Sequence, residues 1–256
     1  IDLISMVQKI TKYQDICLNP QTALSQLEVA ISLATSGRPG PSVLELPLDI
    51  QSTLLPSEET VFTPNKKLKE KWDMATYSHA IGKILNKLAL AKKPLLVIGG
   101  GIKAANVVDQ TRELVSGLRV PCSLTWRTID FLPFNHELNA GRFGSVAKRH
   151  SNILIQKADF ILVLGSRLDA TQTAHNLLNF GKKAEIFMVD VDNAELQKTP
   201  KRFVTYNLDL KTFIPLFIEK AKDIEHSGVF DNWLQEVSTL KNRFADEKFS
   251  NTAREQ

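Results

Sequence analysis

Three short apolar runs, each closed by glycine or an acid, restrict what this chain can fold into. Residues 160–164 are Phe-Ile-Leu-Val-Leu, stopped by Gly165 and followed by Arg167 and Asp169. Residues 94–98 run into Gly99, Gly100 and Gly101, and 186–189 run into Asp190 and Asp192. A wholly apolar run of this length suits a strand buried on both faces, as central parallel strands are. Stretches with apolar residues at helical spacing separate the runs. The order αβαβ…αβαβ…βα predicts an α/β protein built on a doubly wound parallel sheet. In such a sheet the carboxyl ends of the strands form the ligand crevice. Gly101, Thr125, Asp169 and Asp192 are therefore expected on one rim.

The helical period is clear at 76–88 (Ala80, Ile81, Ile84, Leu85, Leu88), at 104–116 (Val107, Val108, Thr111, Leu114, Val115), across 147–156 and at 210–221. Residues 172–180 also read as helical. Further strands are expected at 120–125 and 203–207, with an irregular stretch at 126–145 that holds the Gly141-Arg142-Phe143-Gly144 turn. Upstream, 1–18 read as an extended entry. Asn19 and Pro20 then open a helix with Ala23, Leu24, Leu27, Ala30, Ile31 and Ala34 at helical spacing, Gly37 stops it, and Val43 begins a strand that Pro47 closes. One helix and one strand cannot form a core, so 1–51 reads as the remnant of a second α/β domain. Residues 52–75, with Pro56, Pro64 and four lysines (66, 67, 69 and 71), have linker composition. Residues 76–221 read as the main domain, and 222–256 as a helical segment passing into linker. The first residue is Ile1 and the last stretch is polar, so both ends read as cut from a longer polypeptide.

The 32 basic and 28 acidic residues are scattered and leave a net charge of +4, with no stripe that would suit nucleic acid. No apolar run approaches the ~20 residues a membrane span requires. Cys17 and Cys122 are too few for a disulfide framework or a metal cage, and the histidines share no ligand spacing. A reduced, cytoplasmic setting without a metal site is expected.

Gly99-Gly100-Gly101-Ile102-Lys103-Ala104 satisfies G-x-G-x-x-A directly after a strand, where backbone can approach a pyrophosphate. The acid that the fingerprint wants at the end of the next strand is replaced by Thr125, Trp126 and Arg127, which argues against NAD. Tight-turn glycines or another nucleotide's site remain. Asp190 and Asp192 can accept from ribose hydroxyls or an adenine amine, or cap the helix that follows. Arg167 and Asp169 leave the central strand as ligand contacts or as a structural ion pair. No nucleophile elbow and no supported general acid or base is present.

At Ile10-Thr11-Lys12, at Leu33-Ala34-Thr35-Ser36-Gly37-Arg38-Pro39-Gly40-Pro41 and at Leu46-Pro47-Leu48-Asp49-Ile50-Gln51 the chain closely resembles the acetolactate synthase family of thiamine-diphosphate enzymes. The resemblance continues through 99–101, 141–144, Ala158-Asp159, 164–169 and 189–195, and covers nearly the whole chain. It implies that 1–51 end a pyrimidine-binding domain and that 76–221 are a Rossmann-like central domain. It also implies decarboxylation of a 2-keto acid on thiamine diphosphate with Mg2+, and transfer of the carbanion to an acceptor such as a second 2-keto acid, in a homodimer or homotetramer. The activating glutamate and the diphosphate-binding Gly-Asp-Gly motif would lie outside these residues, so this piece alone is expected to be inactive.

The resemblance further implies FAD on the central domain, with Gly100, Gly101, Thr125, Gly141, Gly165, Arg167, Asp169, Asp190 and Asp192 at FAD-contacting positions and Lys12 near the active-site entrance. The family's Arg-Phe-Asp-Asp-Arg run is Arg167-Leu168-Asp169-Ala170-Thr171 here, and its Thr-Leu-Met-Gly run is Thr125-Trp126-Arg127-Thr128. The second change adds bulk where an isoalloxazine would lie. Near the end, a Gly-Asp pair of the family becomes Leu208-Asp209. Two other readings stand beside this one: a self-contained regulatory module binding NAD, FAD or ADP, and a central domain kept only as scaffold.

Overall fold

A computed structural model describes residues 1–54, 73–222 and 228–245. They belong to two compact units, Ile1–Lys71 and Trp72–Gln256. In the first, α1 (Leu3–Val7) starts where the Asp2 carboxylate accepts from the Ser5 N–H at 3.0 Å. β1 (Tyr13–Ile16), α2 (Ala23–Thr35), β2 (Ser42–Glu45) and α3 (Leu48–Gln51) follow. β1 and β2 pair in parallel from Tyr13↔Ser42 to Ile16↔Glu45, with α2 as the crossover. The expected extended entry thus contains a short helix and a strand, and the supposed lone helix and strand are two parts of a βαβ unit. Tyr-Gln-Asp-Ile has neither an apolar run nor alternation, which hid β1 in the sequence. Asn19 accepts from the Gln21 N–H at 3.0 Å and opens a 3-10 turn, with Pro20 at its first position, ahead of α2.

In the second unit α4 (Met74–Leu88) leads into β3 (Pro94–Ile98). Next come α5 (Gly101–Ala104), α6 (Val108–Leu118), β4 (Cys122–Leu124), β5 (Asn139–Arg142), α7 (Arg149–Lys157) and β6 (Phe160–Leu164). β7 (Glu185–Asp190), α8 (Asn193–Leu196), β8 (Phe203–Asn207), α9 (Leu210–Ala221) and α10 (Asp231–Arg243) complete it. All six strands are parallel, in the spatial order β5-β4-β3-β6-β7-β8. From β3 the chain builds outward to β5, returns to the other flank of β3, and builds outward again to β8. This is the doubly wound order, with its topological switch point between β3 and β6.

The strand period of two divides the core. Leu96, Ile98, Leu162, Leu164, Phe187 and Val189 face α4, α6 and α9. Leu95, Val97, Ile161, Val163, Ile186 and Met188 face α7 and α10. Trp233 on α10 packs into this second layer, and its indole N–H donates to the Pro94 carbonyl at 2.8 Å. The three apolar runs of the sequence are therefore the three central strands, covered on both faces.

Three expectations need correction. The helix read at 104–116 is broken: α5 ends, Asn106 turns left-handed at φ 57°, and α6 resumes at Val108. The irregular stretch at 126–145 contains β5, an edge strand whose Asn-Ala-Gly-Arg sequence carries no strand signal and which depends on pairing with β4. Residues 172–180 are not a helix. One turn after Asp169 is closed by left-handed Ala174 and His175 (φ 50° and 59°), and only Leu177–Asn179 form a 3-10 turn. The linker read at 52–75 falls almost wholly outside the described residues, as does the polar end. Among the described residues no helix is long and apolar enough to cross a membrane, and no group of three His, Cys, Asp or Glu could hold a metal ion. Cys17 and Cys122 are buried and free.

Candidate functional site

A row of backbone hydrogen bonds crosses the carboxyl edge of the sheet and joins the strand ends from which the predicted residues follow. The Thr125 N–H donates to Ile98 O at 3.1 Å and the Gly99 N–H to Leu164 O at 2.9 Å. The Gly165 N–H donates to Val189 O at 3.0 Å and the Leu208 N–H to Asp190 O at 3.1 Å. Gly101, Thr125, Asp169 and Asp192 follow four strands joined by this row, so the rim expected from the sequence exists.

The glycines do not share one role. A Cβ on Gly99 would lie 2.1 Å from Gly165 O, and one on Gly101 would lie 2.6 Å from Gly165 Cα. Gly165, at φ +62°, faces Gly101 Cα at 2.7 Å from its own Cβ position. The Gly101 N–H also donates to Gly165 O at 2.9 Å. Side chains at 99, 101 or 165 would force the β3 and β6 loops apart, so these three glycines permit close backbone packing at the switch point. Gly100 differs. The three atoms nearest its Cβ position all belong to the Arg127 side chain, at 2.9 to 3.1 Å. Among the described residues its N–H is not taken by any backbone or side-chain acceptor. Of the glycine run, Gly100 is the one whose nearest neighbour is Arg127 and not the β6 loop.

Thr125, nine-tenths buried, forms a capping box with Thr128, whose hydroxyl donates to Ile98 O at 2.7 Å. Gly141, at φ +82°, lets β5 pass α7: a Cβ there would lie 2.4 Å from Ser151 Oγ and 2.8 Å from His150 Nε2. Asp169 Oδ1 accepts from Thr171 Oγ1 at 2.6 Å and from the Gln172 N–H at 3.0 Å. Burial pushes this carboxyl up, but those hydrogen bonds and the Arg167 charge outweigh it and hold it below the usual carboxylate range. Asp192 caps α8 by accepting from the Ala194 N–H at 3.0 Å, while Asp190, largely buried, accepts from the Asp192 N–H at 2.9 Å. The capping role read for Asp192 is the one its geometry displays.

The cations are less engaged. Arg167 and Arg127 are exposed, and among the described residues neither makes a hydrogen bond or salt bridge. The ion pair read between Arg167 and Asp169 is thus only a through-space attraction. Arg142 stacks on Trp126, its guanidinium 4.4 Å from the ring centroid. The crevice therefore presents a basic, partly aromatic rim beside one open glycine amide, a combination that suits a phosphorylated ligand.

The family profile described as "Thiamine pyrophosphate enzyme, central domain" matches residues 81–215, more than half of the chain. This chain belongs to the thiamine pyrophosphate enzymes. It is similar to the acetolactate synthase large subunit of Lactococcus lactis, with 30% identity over 94% of this chain and 41% of that protein. It is also similar to the acetolactate synthase isozyme 1 large subunit of Escherichia coli, at 29% identity over 90% of this chain and 41% of that protein. The chloroplastic acetolactate synthase of Arabidopsis thaliana is 26% identical over 94% of this chain and 36% of that protein. The chain thus spans about two fifths of the length of these curated relatives.

In this thiamine pyrophosphate enzyme a cavity of about 290 Å³ is lined by residues including Phe143, Gly144, Asn152, Gln172 and Phe180. Its lining carries no ionisable side chain. Asn152 holds Gly144 through both its amide atoms, at 2.8 and 3.0 Å, and Gln172 accepts from Ser166 Oγ at 3.0 Å. These amides are spent on holding loops. Arg127 and Arg142 were not among the predicted site residues. Arg127 was visible in the sequence as an unusual cation just past a strand end, but its contact with Gly100 depends on the 3-10 turn at Trp126–Thr128.

Proposed function

We propose that this chain is the central part of an acetolactate-synthase-like carboligase. The enzyme decarboxylates a 2-keto acid on thiamine diphosphate and passes the carbanion to an acceptor, such as a second 2-keto acid. When bound, thiamine diphosphate supplies the electron sink, and protein supplies orientation and electrostatics. Mg2+ and thiamine diphosphate are assigned to other segments of a homodimer or homotetramer, as the resemblance to acetolactate synthases implies. The similarity to acetolactate synthases over 90% or more of this chain is the observation that carries the reading.

Within that enzyme the crevice at the switch point receives the adenosine-diphosphate moiety that FAD and ADP share. The open N–H of Gly100 and the cations Arg127 and Arg167 suit the phosphates, and Asp190 and Asp192 at the end of β7 suit the nucleoside. The test is a full-length preparation assayed with a panel of 2-keto acids. Thiamine-diphosphate- and Mg2+-dependent CO2 release with a carboligation product is expected. An acid-quenched sample should release an adenine nucleotide. No cofactor-dependent turnover with any 2-keto acid would overturn the assignment.

A further inference from the structure

A doubly wound sheet offers a nucleotide two half-sites, one on each flank of the switch point, and a dinucleotide lies across both. In this chain the two halves are unlike. On the β6–β7–β8 flank the strands end in Gly165, the capped Asp192 and the Asn207 side chain, whose amide donates to Asp190 O and Val191 O at 3.2 and 2.8 Å. On the β4–β5 flank Trp126 is stacked against Arg142, and Arg127 lies along Gly100 within 2.9 to 3.1 Å of that residue's Cβ direction. The second flank thus carries three large side chains of this chain's own.

We propose that Arg127 determines the specificity of the crevice, admitting a nucleoside diphosphate and excluding a flavin dinucleotide. The inference rests on the nucleotide reading above and deepens it. Arg127 covers Gly100, so a phosphate meets its guanidinium first. That guanidinium makes no hydrogen bond or salt bridge among the described residues, so no carboxylate must be displaced from it. The diphosphate takes its charge-assisted hydrogen bonds from Arg127 and the Gly100 N–H at the switch point, with Arg167 across the β3–β6 boundary. The nucleoside extends over β7 and β8. A second half extending from the same diphosphate toward β4 and β5 meets Trp126, Arg142 and the Arg127 stem.

Calorimetric titration of the full-length protein, freed of nucleotide, with ADP, AMP, inorganic pyrophosphate and FAD tests this. ADP should bind at least tenfold more tightly than FAD and AMP, with pyrophosphate weaker than ADP because it lacks the nucleoside. Arg127→Ala should lower ADP affinity at least tenfold, Arg127→Lys should retain most of it, and Trp126→Ala combined with Arg127→Gly should raise FAD affinity. Because Arg127 is exposed, unchanged circular dichroism and melting temperature are expected in both single Arg127 variants. Tighter ADP binding by Arg127→Ala would overturn the proposal, since the side chain would then be a plug. FAD binding as tight as ADP and indifferent to Arg127 would also overturn it while leaving the nucleotide crevice standing. If no nucleotide binds the parent protein, the crevice reading fails and this proposal fails with it. Pyrophosphate binding as tightly as ADP would reduce the site to a plain diphosphate site and refute the nucleoside selectivity.

Discussion

His150, in the first turn of α7, is only 2% exposed, and among the described residues neither ring nitrogen has a hydrogen-bond partner. Burial, reinforced by the charges of Lys148 and Lys241, lowers its pKa from 6.5 to about 4. In the unfolded chain it regains an ordinary value, so between about pH 4 and 6.5 the unfolded state binds the proton and the folded state does not. This group's contribution is complete above pH 6.5 and is lost as pH falls toward 4. With those two pKa values the loss is about 2 kcal/mol at pH 5 and approaches ~3 kcal/mol below pH 4. Carboxylates titrate in part of the same range, so the measurement is a difference. Urea denaturation of the parent and of His150→Gln at pH 5 and pH 7.5 isolates the histidine. The parent should lose about 2 kcal/mol more than the variant on acidification. A parent and variant with equal pH slopes, or an imidazole that titrates by NMR near or above pH 6.5, would refute the reasoning.

Gly165→Ala should be among the most damaging single changes in the sheet. It places a methyl 2.7 Å from Gly101 Cα at φ +62°, and the expected loss is about 3 kcal/mol or more, read from denaturation midpoints. Asp192→Ala removes the cap of α8 and should cost about 1 kcal/mol by the same assay, whereas Asp192→Asn should cost less. Trp233→Phe keeps most of the apolar contact but leaves the Pro94 carbonyl without its indole donor. A loss of about 1–3 kcal/mol is expected in thermal or urea unfolding.

The parts of the fold that declare themselves in sequence are those whose stability comes from apolar burial on both faces. The runs at 94–98 and 160–164 became β3 and β6 at those boundaries, and the period at 210–221 became α9. Elements held by partners were hidden. β5 carries Asn, Ala, Gly and Arg, and it is a strand because β4 offers it hydrogen bonds. β1 likewise depends on β2. The misread helix at 172–180 shows the opposite error, where Leu177, Leu178 and Phe180 mimic a helical stripe while Asp169 and left-handed Ala174 fix tight turns. At the crevice, strand ends located the rim correctly, since direction and order follow from the βα alternation. The division of labour within Gly99–Gly100–Gly101 could not be read, because it depends on how closely the β6 loop approaches two of them and not the third.

The bond from Trp233 to Pro94 joins residues 139 positions apart. It ties the opening strand of the unit to its last described helix. During vectorial synthesis on a ribosome, β3, β6 and β7 emerge well before α10, and the layer of the sheet that α7 shares with α10 waits half-covered for Trp233 and Val237. Nascent chains arrested before Trp233 should therefore recruit chaperones through the part of that layer α7 leaves open, and release of the remaining residues should dismiss them.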